Sequence, residues 1–197
     1  MMTLYDFNGS GNGFKVRLLL AQLGIAYTLV ERDILKGETR TPEFLAKNPN
    51  GRIPTLELDD GTFLAESDAI LWYLAEGTKF APADRLERAR TLQWMFFEQY
   101  SHEPYIAVLR FWLRFAASQP EQAEIDAKRA GGTAALEALE RALVDRDFLV
   151  GERYSIADIA LYGYTHVAQE GGFLLDNYPH VASWLSRVAQ QPGYVSM

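Results

Sequence analysis

The chain contains no cysteine. That absence excludes a cysteine nucleophile, a C-x-x-C redox pair, a disulfide framework and any thiolate metal site. If the protein does thiol chemistry, the sulfur must come from a ligand. Histidine is scarce: His102, His166 and His180 are scattered, and none pairs with another at metal-ligand spacing, so no metal is expected. No G-x-S-x-G nucleophile motif is present, because Asn8 stands where its first glycine would be. No run approaches the ~18 consecutive apolar residues of a membrane helix. The N-terminus lacks the basic segment and apolar run of a secretory signal, so the cytoplasm is the expected location. Positive charge is also short. The net charge is −7, residues 1–78 carry 7 basic and 11 acidic side chains, and residues 79–197 carry 12 and 15. Neither a nucleic acid nor a membrane surface is an expected partner.

What is present is an ordinary globular composition: 197 residues, 48% hydrophobic and 23% charged. This is enough chain to bury a core without cross-links. Thr3 to Phe7 is a short strand candidate, followed by a polar glycine-rich loop from Asn8 to Gly13. Val16, Leu19, Leu20 and Leu23 then recur at i, i+3, i+4 and i+7, one face of a helix, which Gly24 ends. Tyr27 to Arg32 reads as a second strand, parallel to the first by a right-handed crossover. Thr41-Pro42-Glu43 is a helix start and Asn48-Pro49 its end. Thr55–Leu58 and Thr62–Ala65 flank Asp59-Asp60-Gly61 as a hairpin, and a helix follows over Ser67–Glu76. Beyond a linker with Pro82 no strand pattern recurs. The expected helices are Leu86–Ser118, bent at Pro104, then Pro120–Val144, weakened by Gly131-Gly132. Two more follow, one behind the capping box Ser155-x-x-Asp158 and one from Pro179. The fold class is therefore α+β (βαβ, a short helix, ββα) followed by an all-α bundle. The expected domains are 1–78, a linker 79–85, and 86–197.

Three segments could carry chemistry. The loop Gly9-Ser10-Gly11-Asn12-Gly13 opens a helix, whose free N–H groups make an anion site. A plain turn with Ser10 or Asn12 as N-cap accounts for it equally well. A dinucleotide reading, with Glu31 as ribose acid, is opposed by Phe14 at the third glycine position and by the hairpin that replaces further βαβ units. Ile53-Pro54 opens a strand after the turn Asn48-Pro49-Asn50-Gly51. In Glu66-Ser67-Asp68, capping explains Ser67 or Asp68. Alternatively, Ser67 and the helix amides bind a carboxylate while Glu66 or Asp68 receives an ammonium, which suits the end of an amino acid.

Together these pieces resemble the soluble glutathione transferase family. Asn48-Pro49-Asn50-Gly51-Arg52-Ile53-Pro54-Thr55-Leu56 is similar to that family's glutathione-site loop, and Glu66-Ser67-Asp68-Ala69-Ile70 to its γ-glutamyl grip. Phe148-Leu149-Val150-Gly151 and Ser155-Ile156-Ala157-Asp158 are similar to the start of its sixth helix. Each motif is weak alone, but they occur in order across nearly the whole chain. The resemblance implies a thioredoxin-like first domain binding glutathione through Arg52, Ile53, Pro54, Glu66 and Ser67, with Pro54 cis and the Ile53 backbone pairing with the ligand as an added strand. It implies that Ser10 sits where serine-type members place the hydroxyl on the glutathione sulfur. Asn12 sits where a bacterial disulfide-reducing subgroup places an asparagine. Tyr5 is assigned to structure. A hydrophobic electrophile would be walled by Phe14, His102, Tyr105 and Phe111, and the family is usually a homodimer.

The implied reaction is attack by a protein-stabilised glutathione thiolate on an electrophile, since the thiolate and not the thiol is the nucleophile. Glutathione-dependent reduction of a disulfide or peroxide needs the same site. A non-catalytic binding protein of this fold is the remaining alternative.

Overall fold

In the first strand, β1 (Thr3–Asp6), side chains alternate between two covered faces. The computed structural model describes residues 1–118 and 120–197 and divides them into two compact units. The first unit is Met1–Thr78 together with Pro192–Met197, and the second is Lys79–Gln191. The C-terminal hexapeptide, expected in the helical domain, thus belongs to the first unit.

The first unit is thioredoxin-like. Its sheet has the order β2-β1-β3-β4, with β2 Thr28–Glu31, β3 Thr55–Glu57 and β4 Phe63–Ala65. β1 is parallel to β2 and antiparallel to β3, and β3 is antiparallel to β4. The parallel pair is joined through α1 (Gly11–Leu23), which stops at Gly24 in the left-handed region, φ 68°. The next helix, α2 (Pro42–Lys47), starts where expected: Thr41 Oγ1 accepts the Phe44 N–H at 3.2 Å. The hairpin turns at Asp59-Asp60-Gly61, with Asp60 accepting the Thr62 N–H at 2.9 Å. α3 (Ser67–Ala75) follows β4 directly. Leu4 and Leu56 of the central strands are fully buried, as are Val16, Leu19 and Leu20 of α1 and Ile70 and Leu71 of α3. Each such side chain contributes ~1.5–3 kcal/mol by leaving water. On the other face Tyr5 meets Phe44 of α2 edge-on, ring centroids 6.0 Å apart.

The second unit is all helical: α4 (Arg85–Phe97), α5 (Glu103–Phe115), α6 (Gln122–Ala142), α7 (Ile156–Thr165) and α8 (Pro179–Ala189), with short 3-10 turns between α7 and α8. The single bent helix expected over Leu86–Ser118 is two helices separated by a π-helical segment, Glu98–His102. The reason is Pro104. It has no N–H for the α ladder and its ring crowds the carbonyl four residues back, so the widened turn lies just ahead of it. The Pro104 carbonyl accepts Lys128 Nζ at 2.9 Å. By contrast, α6 runs unbroken through Gly131-Gly132. A Cβ at Gly131 would lie 2.2 Å from Tyr105 Cδ1 and one at Gly132 2.3 Å from Phe173 Cζ, so the missing side chains make room for those rings.

The α7 N-terminus is tied down by the capping box read from the sequence. Ser155 accepts the Ala157 N–H at 3.3 Å, and Asp158 Oδ2 accepts the Ser155 N–H at 2.9 Å. Asp158 does more than cap: its Oδ1 also accepts the Leu149 N–H at 3.0 Å and the Trp184 indole N–H at 2.9 Å. Complete burial pushes this carboxyl up to about 6, while the donors around it pull the other way. An orphaned buried donor costs ~1–3 kcal/mol. Asp158→Ala leaves three without an acceptor, so it is expected to lower stability by roughly 3–5 kcal/mol in urea unfolding.

Candidate functional site

β1 delivers the chain to the loop Phe7–Gly9, which turns back through a Ser10 N–H to Phe7 carbonyl bond of 2.8 Å. Ser10 is the N-cap of α1 and its Oγ accepts the Gly13 N–H at 3.2 Å. A hydroxyl that accepts still has its own hydrogen to donate, so capping and sulfur binding are compatible at Ser10. Asn8 is held by the chain on both sides: its N–H donates to Glu31 Oε1 at 2.8 Å, and its carbonyl and side-chain oxygen accept from Arg17 at 3.3 Å each. Glu31 therefore serves the loop, not a ribose.

Beneath this loop lies Asp6, 1% exposed, whose carboxylate presses on the first turn of α1. A Cβ at Gly13 would sit 1.6 Å from Asp6 Oδ1, so position 13 admits only glycine beside this acid. Arg17 Nε stands 3.1 Å from Asp6 Oδ2. Burial pushes the Asp6 carboxyl up to about 7. Arg17 and the Phe7 amide hold it down against that, and Glu31 raises it further.

The second part of the site is built by the turn from Asn48 to Thr55. Asn48, 2% exposed, donates from Nδ2 to the Arg52 carbonyl at 2.8 Å and to Thr55 Oγ1 at 3.2 Å, and accepts the Asn50 N–H at 3.0 Å. Gly51 has φ +60°, and a Cβ there would meet the Thr39 carbonyl at 2.8 Å. The Ile53-Pro54 peptide is cis. Pro54 is buried, Ile53 half-buried and the Arg52 side chain exposed.

The third part corrects the capping expectation. Glu66, not Ser67 or Asp68, is the residue before α3, and its side chain caps nothing; its backbone is left-handed, φ 66°. Such a conformation in a non-glycine residue is costly and concentrates at functional sites. The Glu66 carboxylate is exposed and meets Asn50 Nδ2 at 3.5 Å. Ser67, freed from capping, donates its hydroxyl to Asn12 Oδ1 at 3.3 Å. Lys15, completely buried, points its ammonium at Ser67 Oγ (3.5 Å) and at Asp68 Oδ1 (3.6 Å). The structure thus brings Ser10, Asn12 and Ser67 to one place, with the Asn50–Pro54 turn reaching it through Glu66.

Four residues were expected to wall a second pocket. Two are core instead. Phe14 is fully buried in the first unit. His102 is fully buried in the second, with Nε2 bonded to Thr165 Oγ1 at 2.9 Å. The Thr165 hydroxyl donates to the Leu161 carbonyl at 2.6 Å, so the His102 Nε2 carries the hydrogen. Tyr105 and Phe111 are half-buried on α5, the first against Gly131 and beneath Lys128, the second against Phe115. Tyr5 donates its hydroxyl to Glu57 at 2.7 Å, and burial, then Glu57, pushes it up to about 12, so it is a structural residue. Among the described residues no group of three or more His, Asp and Glu could hold a metal ion. No helix among them is long and apolar enough to cross a membrane.

Residues 1–76 match the family model for the glutathione S-transferase N-terminal domain, and residues 92–192 match that for its C-terminal domain. The chain belongs to the glutathione S-transferase family. Among curated relatives, the disulfide-bond oxidoreductase YfcG of Escherichia coli is 34% identical over 98% of this chain and 92% of its own length. The crystal structure of a glutathione S-transferase from Pseudomonas fluorescens is 51% identical, with a TM-score of 0.96 over 99% of this chain and 98% of that one. Ure2p in complex with glutathione is 26% identical, with a TM-score of 0.87 over 98% of this chain and 90% of that one.

Within this transferase fold, sequence reasoning missed Lys15 and Asp6, while Asn48 was read as part of the turn it organises. Lys15 left a trace: it lies on the buried stripe of α1 with Leu18 and Leu19, where a charge must have a partner. Asp6 left a similar one, since it shares a strand face with the buried Leu4. The Asp6 shift also has a consequence for stability. Its folded pKa is raised from 3.8 to about 7, so its stabilising share is complete below pH 4, falls as pH rises through about 7, and is flat above. The unfolding free energy of the wild type from urea titrations should therefore fall relative to that of Asp6→Asn between pH 4 and pH 8, by a difference on the order of 2–4 kcal/mol.

Proposed function

We propose that this chain binds reduced glutathione in its first unit, stabilises the thiolate and directs it at a hydrophobic electrophile. The observation that carries this reading is the Ser67–Asn12 hydrogen bond of 3.3 Å, which joins the γ-glutamyl motif to the sulfur loop across 55 residues of sequence. Glutathione has an amino-acid end and a thiol. Ser67, the α3 amides and Glu66 suit the carboxylate and ammonium of the first. Ser10, Asn12 and the α1 N-terminus suit the sulfur anion. The Ile53 backbone would pair with the cysteinyl residue, and Arg52 and Pro54 shape that edge. The loop is of a serine/asparagine type. The protein would act in the cytoplasm as a symmetric dimer, a reading supported by Phe96 and Tyr100, 69% and 84% exposed in the second unit. Sedimentation tests it.

A second reading is reduction of disulfides with glutathione as electron donor. It is favoured by Asn12, by the absence of protein cysteine and by the 34% identity to a relative named a disulfide-bond oxidoreductase. Both readings need the thiolate. Failure to retain glutathione at all would leave a binding protein of another kind.

An ultraviolet difference titration with glutathione at neutral pH should show a saturable thiolate band, and binding without a band would refute thiolate activation. Ser10→Ala should lower turnover on a model electrophile roughly 10-fold or more, while changing glutathione affinity less. Unchanged turnover moves the sulfur contact to Asn12. Ser67→Ala should weaken glutathione binding by about 1–3 kcal/mol in calorimetry.

A further inference from the structure

The chemistry just proposed puts a negative sulfur at the N-terminus of α1, and the fold already has a negative group there. Asp6 approaches that helix end from below. Its carboxylate lies against Gly13, the residue whose N–H holds the Ser10 hydroxyl at 3.2 Å. Its charge is also coupled to the loop from the side, because Arg17 stands 3.1 Å from Asp6 Oδ2 and donates to the side chain and carbonyl of Asn8, two residues before Ser10. The charged and titratable groups around it are few. Arg17 faces it from α1, Glu31 from β2 and Tyr27 from the segment before β2. On the other side of β1, the β3 residue paired closest to it is the neutral Thr55, opposite Tyr5. One cation thus serves a carboxylate that is 1% exposed, with another carboxylate beside it.

We propose that Asp6 is a positioning residue that tunes the sulfur site: a thiolate formed at Ser10 and Asn12 and a charged Asp6 exclude one another, so Asp6 takes up a proton as the thiol gives one up. The inference rests on the reading that the site binds a thiolate. The balance is simple. The S–H bond breaks and the sulfur keeps the electron pair. The proton passes to water, a water-borne proton bonds to an Asp6 oxygen, and nothing is oxidised or reduced. The device suits a thiol whose free pKa is ~8.5: the buried acid can carry its charge before the ligand arrives and give it up when the sulfur becomes the anion. Arg17 keeps its hold on Asn8, and through it on the loop, in either state.

The test uses the full chain, the probes glutathione and S-methylglutathione, and the near-isosteric Asp6→Asn. The thiolate band of bound glutathione is followed against pH, and proton release on binding is measured by calorimetry in buffers of different ionisation enthalpy. Asp6→Asn should shift the band's midpoint down by about one pH unit, the size of effect one neighbouring like charge has on a titration. Near pH 7 it should release about half a proton more per glutathione than the wild type does. With S-methylglutathione, which has no thiol to ionise, the two proteins should release alike. Because Asp6→Asn could fail to fold, the wild type is also labelled with carboxyl-13C aspartate. Its infrared difference spectrum should gain a protonated carboxyl band with glutathione and none with S-methylglutathione. A wild type that shows the thiolate band but no such gain, or a variant whose midpoint and proton release coincide with those of the wild type, overturns the coupling and leaves the functional reading standing. A wild type with no thiolate band overturns both.

Discussion

A buried ammonium must find partners, because transferring an unpaired charge out of water costs more than a fold can supply. Lys15 imposes that requirement on the first unit. Its side chain is completely enclosed, and Ser67 and Asp68 at the head of α3 stand around its nitrogen at 3.5 and 3.6 Å. α1 and α3 are therefore aligned by charge as well as by the leucines between them. Ser67 is drawn away from a capping role and turned toward Asn12. The junction between the α1 and α3 N-termini follows from satisfying one lysine.

The second constraint acts at the start of the same helix, in the turn just ahead of Lys15. The first turn of α1 is Gly11-Asn12-Gly13-Phe14, with no acid in it. The partial positive charge of the helix end is thus left to whatever approaches in space. From the strand side that is Asp6, and from the solvent side it would be the sulfur of the proposed ligand. Two anions competing for one helix terminus make the protonation of one depend on the other. In the second unit, a single carboxylate plays the structural counterpart: Asp158 gathers Ser155, Leu149 and Trp184, and so holds the loop ahead of α7 and the α8 face together.

Local rules made much of this legible beforehand. The strand–helix–strand order, the Thr41-Pro42 helix start, the Asp-Asp-Gly hairpin and the Ser155-x-x-Asp158 box each depend on residues within a turn of one another, and each formed. The fold class followed from their order, and the family from three weak motifs in sequence. Reading failed where the deciding neighbour was distant. Gly131-Gly132 suggested a weak helix, but rings from Tyr105 and Phe173 make those glycines a packing requirement. Pro104 suggested a bend in one helix, while the chain absorbed it as a π turn ahead of the proline. His102 and Phe14 suggested pocket walls because aromatic and imidazole groups serve both roles, and burial alone separates them.

The sequence by itself therefore determined the element order, the two-part architecture and the acidic cysteine-free character, because periodicity, capping and turn chemistry are properties of adjacent residues. Tertiary structure alone decided what those elements do to one another: that Ser67 bonds to Asn12 instead of capping α3, that Lys15 lies beneath them, and that Asp6 sits against Gly13 under the loop. Each depends on distance and burial between residues far apart in the chain. Those set whether a hydroxyl donates to a backbone or to a side chain, and whether a carboxyl keeps its charge.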